Sequence, residues 1–363
     1  MTATARPMRE EAQPATEEVT EAAPGILRLQ LPLRMPGLGH VNCYALEDEK
    51  GWTVVDPGMP GPGPFKAMVE RFTAAGFGVE DIHTVVVTHS HIDHFGGAGR
   101  LRVEAGARVV TAKSFRTWWD PDDVDEDLDA DPWTDGEGNV AERPKGAPWK
   151  RETPWGGQHA RPPLKARLRY QVMRPLAKRY FATPSPSVRL ADAERVTFGR
   201  REWVAVHTPG HTPDHRCLFD PDGGVLLSGD HVLPTITPHI SGVDAGPDPL
   251  AAFVASLDKV SQLEGTTHVL PAHGCPFTDL HGRVDDIHRH HDERLDRLRG
   301  YLGEAGEASV TAMSQRLFRQ QVWGPMAESE TYAHLEHLRL AGDASRREVE
   351  RTEADGRFLY SLT

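Results

Sequence analysis

Thr84-Val85-Val86-Val87-Thr88-His89-Ser90-His91-Ile92-Asp93-His94 is the stretch on which the reading of this chain turns. Its first half is a short β-branched run, the pattern of a buried strand. Its second half places four ligand-capable side chains within six residues. Two histidines one residue apart at a strand end can point to the same side of a loop. Asp93 and His94 follow after a tight turn and can face a second point nearby. Imidazole and carboxylate together suit zinc, manganese or iron. An isolated His-x-His is more often a solvated loop, so the rest of the chain has to decide.

Three further segments repeat the arrangement. Thr208-Pro209-Gly210-His211-Thr212, Ser228-Gly229-Asp230 and Pro271-Ala272-His273-Gly274 each set a ligand type among Gly or Pro, just past an apolar, strand-like run. The runs are Arg201 to Val206, Val225 to Ser228 and Thr267 to Leu270. Strand-end loops are where an α/β fold gathers its functional groups.

In order and in residue type these segments resemble the metallo-β-lactamase superfamily, whose motif is His-x-His-x-Asp-His followed by separate His, Asp and His motifs. The resemblance covers about Gly25 to Arg283. It implies a four-layer αββα fold and a site for two divalent transition-metal ions, zinc first, with manganese or iron also suited. His89, His91 and His211 would hold one ion, and Asp93, His94 and His273 the other. Asp230 would bridge both. A bridging hydroxide would attack the substrate, with Asp93 and Asp230 as the catalytic carboxylates and Asp93 orienting the hydroxide. Asp56, ending a strand in Val-Val-Asp-Pro-Gly, corresponds to a residue that supports the ligands from behind. His215 and His231 are candidates for contact with substrate or with the ligands. The other histidines with no usable spacing, among them His83, His268, His288, His290, His291, His334 and His337, read as structural.

Outward from the motifs, strands are expected at Ile26 to Leu29, Val41 to Leu46, Trp52 to Asp56 and Arg108 to Thr111, with helices from about Phe65 to Ala75 and Asp248 to Leu263. Strands alternating with helices indicate an α/β chain. Residues 1–24 are polar and read as a disordered tail. Residues 25–284 form the expected catalytic domain. Within it, 114–186 reads as an insertion that holds five of the eight tryptophans (Trp118, Trp119, Trp133, Trp149 and Trp155). Asp120 to Glu137 carries ten acidic residues and no basic one, whereas Ala141 to Tyr180 carries eleven basic and two acidic ones. Leu164, Leu168, Val172, Leu176 and Tyr180 form an apolar helical stripe, kinked at Pro175. The stripe belongs either to a surface helix balanced by the acidic Asp120–Glu137 stretch or to a lid whose tryptophans line an apolar pocket and whose arginines meet an anionic substrate.

Residues 285–363 read as a small winged-helix-like domain. A first helix has Leu295, Leu298 and Leu302 on one face, and a second runs from Val310 to Phe318. A third runs from Ser329 to Leu340, with Ser329 as N-cap and Gly342 as stop. A hairpin follows around Asp355-Gly356. This unit holds 11 basic and 15 acidic residues. Phosphate neutralisation needs the opposite balance, so it reads as a packing domain and not as a nucleic-acid reader.

The chain of 363 residues carries a formal net charge of −12, which disfavours broad attraction to nucleic acid or anionic lipid. Three cysteines (Cys43, Cys217 and Cys275) cannot all pair, and reduced thiols in a cytoplasmic protein are expected. No secretory signal and no run long enough to span a membrane is visible. The bridging aspartate makes the site resemble that of glyoxalase II-like thioesterases, and the resemblance then favours a hydrolase acting on a small-molecule thioester or ester, an acyl-CoA among the candidates. A lactonase and an endoribonuclease with the same two-metal site are the alternatives. β-Lactamase activity is disfavoured, because those enzymes are exported and generally lack the bridging aspartate. Homo-oligomerisation stays open.

Overall fold

The computed structural model describes residues 9–117, 152–156, 164, 182–243, 246–352 and 356–363. The N-terminal half forms a seven-stranded sheet in chain order: β1 (Val19–Ala23), β2 (Ile26–Met35), β3 (Leu38–Asp48), β4 (Gly51–Val55), β5 (Ile82–Val86), β6 (Arg108–Ala112) and β7 (Val188–Leu190). Its first four strands are antiparallel neighbours, whereas β4 to β7 run parallel. Parallel neighbours require crossovers, and helices α1 (Pro62–Ala74) and α3 (Ala98–Ala105) supply two of them, with the single turn α2 (Ile92–Phe95) just before α3. A second sheet, ordered β12-β11-β10-β9-β8, is built from β8 (Arg195–Phe198), β9 (Arg201–His207), β10 (Arg216–Asp220), β11 (Val225–Gly229) and β12 (His268–Pro271). Helix α4 (Pro249–Ser261) links its last two strands.

The alternation of side chains along each strand sorts the core into layers. On β3, Val41, Cys43 and Ala45 pack with Phe65, Phe72 and Leu101 of the first helix layer. Tyr44 and Leu46, between them, face Leu218, Leu227 and Leu270 of the second sheet. On β11, Leu226 turns the other way, onto Phe253, Leu257 and Val260 of α4. Helix, sheet, sheet and helix therefore stack in four layers.

Two expectations about the ends of that domain need correction. Residues 9–23 are not a loose tail: Val19–Ala23 pairs with β2, and Glu10 makes an ion pair with Arg28 at 2.5 Å. Half-buried residues of an edge strand show no clear apolar period and read as disorder when they in fact edge a sheet. The boundary at 284/285 falls inside α5 (Leu280–Ala305), which runs unbroken across it. Leu280, Val284, Ile287, Leu298 and Leu302 on one face of α5 belong to the same core as α4.

Beyond α5 come β13 (Ala308–Ser309), α6 (Val310–Leu317), α7 (Pro325–Leu340), β14 (Ala344–Thr352) and β15 (Gly356–Leu362), the strands ordered β13-β15-β14. Ser329 is not the N-cap of the last helix. The helix starts a turn earlier with Pro325 in its first turn, where a missing N–H costs nothing. Ser329 is buried, and its hydroxyl accepts a bond from Gly242 N at 3.0 Å. Of the insertion, Trp155 is fully buried against this C-terminal unit, its indole N–H bonded to Glu328 at 3.1 Å. It is thus core, not pocket lining. Leu164 is exposed, and the rest of the stripe and the acidic stretch lie outside the described residues. All three cysteines are unpaired, and no helix among the described residues is long and apolar enough to cross a membrane.

Candidate metal centre

The expected ligands converge where the ends of β5, β9, β11 and β12 meet. His89 and His91 leave the end of β5, and Asp93 and His94 sit on α2, whose single turn reverses the chain so that four side chains share one cavity. His211 follows β9 across Gly210. A Cβ on Gly210 would stand 2.4 Å from Phe253 Cβ, and its φ of +133° is open only to glycine. Gly229, at φ +51° just before Asp230, packs so closely on His215 that an added Cβ would stand 2.7 Å from its Nε2. Both glycines are thus required to bring a ligand loop against its neighbour.

Two groups of donors result: His89, His91, His211 and Asp230, and beside them Asp93, His94 and His273. Asp230 lies between the groups. Its Oδ2 stands 3.9 Å from His89 Nε2, 3.4 Å from His211 Nε2 and 3.5 Å from His94 Nε2, and its Oδ1 is 3.5 Å from His273 Nε2. Asp93 Oδ2 is 3.7 Å from His94 Nε2 and 3.6 Å from His273 Nε2. Most of these separations are long for hydrogen bonds. They are close to what two ligands show when each is about 2.0–2.2 Å from one tetrahedral ion. Among the described residues His89 Nε2, His94 Nε2, His273 Nε2 and Asp230 Oδ1 are buried without a hydrogen-bond partner. Orphaned lone pairs aimed at one another are costly unless a cation lies among them. The donor set therefore fits a pair of divalent ions.

The outer nitrogen of each ring explains why the lone pairs point inward. His211 Nδ1 donates to the His239 carbonyl and His273 Nδ1 to the His40 carbonyl, both at 2.8 Å. His94 Nδ1 donates to Asp56 Oδ2 at 3.0 Å. The Thr88 hydroxyl donates to the same carboxylate at 2.7 Å and accepts from His89 Nδ1 at 3.0 Å. An oxygen that can only accept fixes the proton on Nδ1 and leaves Nε2 free to ligate. His91 alone presents Nδ1, 3.0 Å from His211 Nε2.

Electrostatics divide the site. Burial, reinforced by neighbouring histidines, holds His89 and His91 well below the usual range, hence neutral. Burial opposes a charge on His94 too, but Asp230, Asp93 and Asp56 hold it well above. Burial would raise Asp230, yet His273 and His94 keep it well below the carboxylate range. A cation replaces those protons with no change of partners.

A search by family model matches the Metallo-beta-lactamase superfamily over residues 36–301. The chain belongs to the metallo-β-lactamase superfamily. It is 23% identical to the "Probable metallo-hydrolase YqjP" of Bacillus subtilis over 85% of this chain and 91% of that protein. It is 30% identical to an "Atrochrysone carboxyl ACP thioesterase" of Aspergillus chevalieri, over only 38% of this chain and 45% of the relative. A "Beta-lactamase domain protein" from Burkholderia ambifaria superposes with a TM-score of 0.73 at 28% identity, covering 97% of this chain and 96% of that one.

Within this superfamily site the supporting residues separate by what they touch. Asp56 carries a positive φ of 53°, a backbone form that costs a non-glycine residue, and its carboxylate also accepts from Thr88 N at 2.9 Å. It binds β5 and His94 together. Replacing Asp56 with Asn is expected to lower metal affinity about 10–100-fold, with little change in the metal-free melting temperature, as measured by competitive chelator titration. Affinity within twofold of the parent would contradict this. His215 does not reach the cavity: its Nε2 accepts from Asp230 N at 3.0 Å and its Nδ1 meets Thr208 Oγ1 at 2.7 Å. It positions the Asp230 backbone. His231 is fully buried, stands edge-on to Phe253 at 5.0 Å, and burial pushes it down to about 3. Both rings are fully buried, and His215 reaches the ligand set through the Asp230 backbone.

Sequence reasoning missed the clamp on the His273 loop. Asn42 Nδ2 donates to the carbonyls of Pro271 and Gly274 at 2.8 Å, and Arg28 and Tyr44 bond the same two carbonyls. Main-chain acceptors leave no residue-type signal, and neither do the His40 and His239 carbonyls.

It also missed Asp214, buried beside Ser90, whose hydroxyl donates to it at 2.8 Å. Burial outweighs its bonds from Ser90 and Thr212 and pushes the carboxyl up to about 6. An unfolded aspartate titrates near 3.9. The folded state thus holds the proton more tightly, and stability falls as pH rises from about 4 to about 6, by roughly 3 kcal/mol in all, then stays level. Replacing Asp214 with Asn is expected to raise the melting temperature of metal-free protein at pH 7.5 and leave it unchanged at pH 4. A gain of equal size at both pH values would show that ionisation is not the cause.

Proposed function

We propose that this protein is a dinuclear metal hydrolase acting on a small-molecule thioester or ester, with a glyoxalase II-like site and a winged-helix-like C-terminal unit. The observation that carries the reading is Asp230, whose carboxylate lies within 3.9 Å of His89 and 3.4 Å of His211 in one donor group and within 3.5 Å of His94 and His273 in the other. Zinc is the first candidate ion for this His/Asp set. When bound, the two ions would supply Lewis-acid polarisation of the reacting carbonyl and a water acidified to near neutrality.

The chain's own residues do the rest. His89, His91 and His211, with Asp230, hold one position; Asp93, His94 and His273, with Asp230, hold the other. The carbonyls of His239 and His40 and the Asp56 carboxylate keep the rings from turning. Asp93 and Asp230 are the acids nearest the reacting atoms, and Asp93 is placed to accept a proton from the attacking water. The thioesterase among the relatives supports the substrate class.

The C-terminal unit reads as a packing domain. Glu330 meets His239 at 3.4 Å and His337 meets Asp248 at 3.0 Å, so it braces the loop that orients His211. A panel of acyl thioesters, lactones, phosphodiesters and single-stranded RNA, run on metal-loaded protein, tests the reading. Thioester turnover above the others is expected, and RNA cleavage as the preferred reaction would overturn it.

A further inference from the structure

Helix α5 presents one face to the loop that follows Asp230. Arg283, Asp286, Arg289 with His290, and Glu293 with Arg294 recur every three or four residues and so stack along that face. Thr235 to Thr237 of the loop stand opposite, and Arg9 closes one side. They line an open depression of about 570 Å³ that includes none of the candidate metal ligands. Its volume lies within the range of small-molecule sites, roughly 300–1,000 Å³, and is ample for more than one anionic group.

Four guanidinium groups against two carboxylates line this cavity, in a chain whose net charge is −12. The groups are not equivalent. Arg283 is fixed: its Nε donates to the Leu233 carbonyl at 2.5 Å and its Nη2 to the Ile236 carbonyl at 2.8 Å. Arg294 is committed to Glu330. Arg289 is 62% exposed and tied only to Asp286 on its own helix, at 2.9 Å, a weak surface pair. Arg9 makes no ion pair among the described residues, and Thr235 Oγ1 is buried there without a hydrogen-bond partner. Two exposed guanidinium groups thus face a cavity whose loop wall is tied to α5 through Arg283. Guanidinium matches phosphate oxygens in geometry and charge. The loop also joins this cavity to the metal centre: it begins at Asp230 and ends at His239, whose carbonyl orients His211.

We infer that this cavity is an anion subsite that takes the phosphate-bearing end of a small-molecule substrate whose reacting carbonyl lies at the metal centre. This rests on the hydrolase reading above for the position of the carbonyl, but the anion binding does not. No bond is made or broken in the subsite; it holds one end of the substrate while the other reacts.

The test uses the full-length, metal-loaded protein and adenosine 3′,5′-bisphosphate as probe, with binding followed by isothermal titration. The variant is Arg9→Glu with Arg289→Glu, two exposed residues outside the metal centre. The parent is expected to bind the bisphosphate with an affinity that falls as salt rises. The double variant should bind it at least tenfold more weakly. The variant should also show a KM for a coenzyme A thioester raised about tenfold, with kcat/KM for an uncharged N-acetylcysteamine thioester within twofold of the parent. Bisphosphate binding undiminished in the double variant would place the anion elsewhere, the metals included, and overturn the inference. So would absence of binding to the parent. If binding is lost as expected but neither thioester is hydrolysed, the subsite stands and the substrate class proposed above falls. A single Arg289→Gln variant with an intermediate loss checks that the effect follows charge and not misfolding.

Discussion

Asp230→Asn is expected to lower turnover about a thousandfold or more at limiting metal while leaving the metal-free fold intact. The amide retains the shape but loses the charge and one of two equivalent oxygens, and it cannot draw the two donor groups onto one pair of cations. The backbone N–H of Asp230, which bonds His215, is untouched, so its loop stays in place. In the metal-free site His94 and His273 hold this carboxylate ionised, so the amide also removes a buried partner, and the melting temperature without metal should fall while the transition stays cooperative. Kinetics at defined metal concentration, set beside a thermal melt, separate the two effects. Turnover near that of the parent at limiting metal would mean that Asp230 does not bridge.

Deleting residues 285–363 is expected to abolish soluble protein altogether. The cut severs α5 near its start and removes Ile287, Leu298, Leu302, Met313, Leu335 and Tyr360, all buried in the core that also holds Leu226, Phe253 and Val260. Loss of one large buried aliphatic side chain costs about 2–5 kcal/mol, and a whole domain is stable by only about 5–15 kcal/mol. The stripped face would be a continuous apolar surface of a kind that associates. Expression of the 1–284 fragment, followed by ultracentrifugation and thiol-independent melting, checks this. A soluble, cooperatively melting fragment with full activity would show that the C-terminal unit is an appendage.

What could be read in the sequence and what could not differ for a physical reason. Donor side chains sit at fixed places after strands, and β5 announces itself by a run of β-branched residues, so the convergence of His89, His91, Asp93, His94, His211, Asp230 and His273 as candidate donors was legible. The alternation along β3 and β11 carried the layers. The outer shell was legible only where a side chain supplies it, as Asp56 does for His94. Where a carbonyl supplies it, as at His40 and His239, any residue would serve. Edge strands such as Val19–Ala23 bury too little to show a period. The domain boundary expected at 284/285 marks no break because one continuous helix, Leu280–Ala305, packs in a single core with both halves.

The most direct measurement is activity against bound metal as zinc is returned to chelated protein. Two-metal hydrolysis predicts no turnover without metal and a rise that saturates at two ions per chain. Turnover that survives complete chelation, or that saturates at one ion with no second bound, would contradict it.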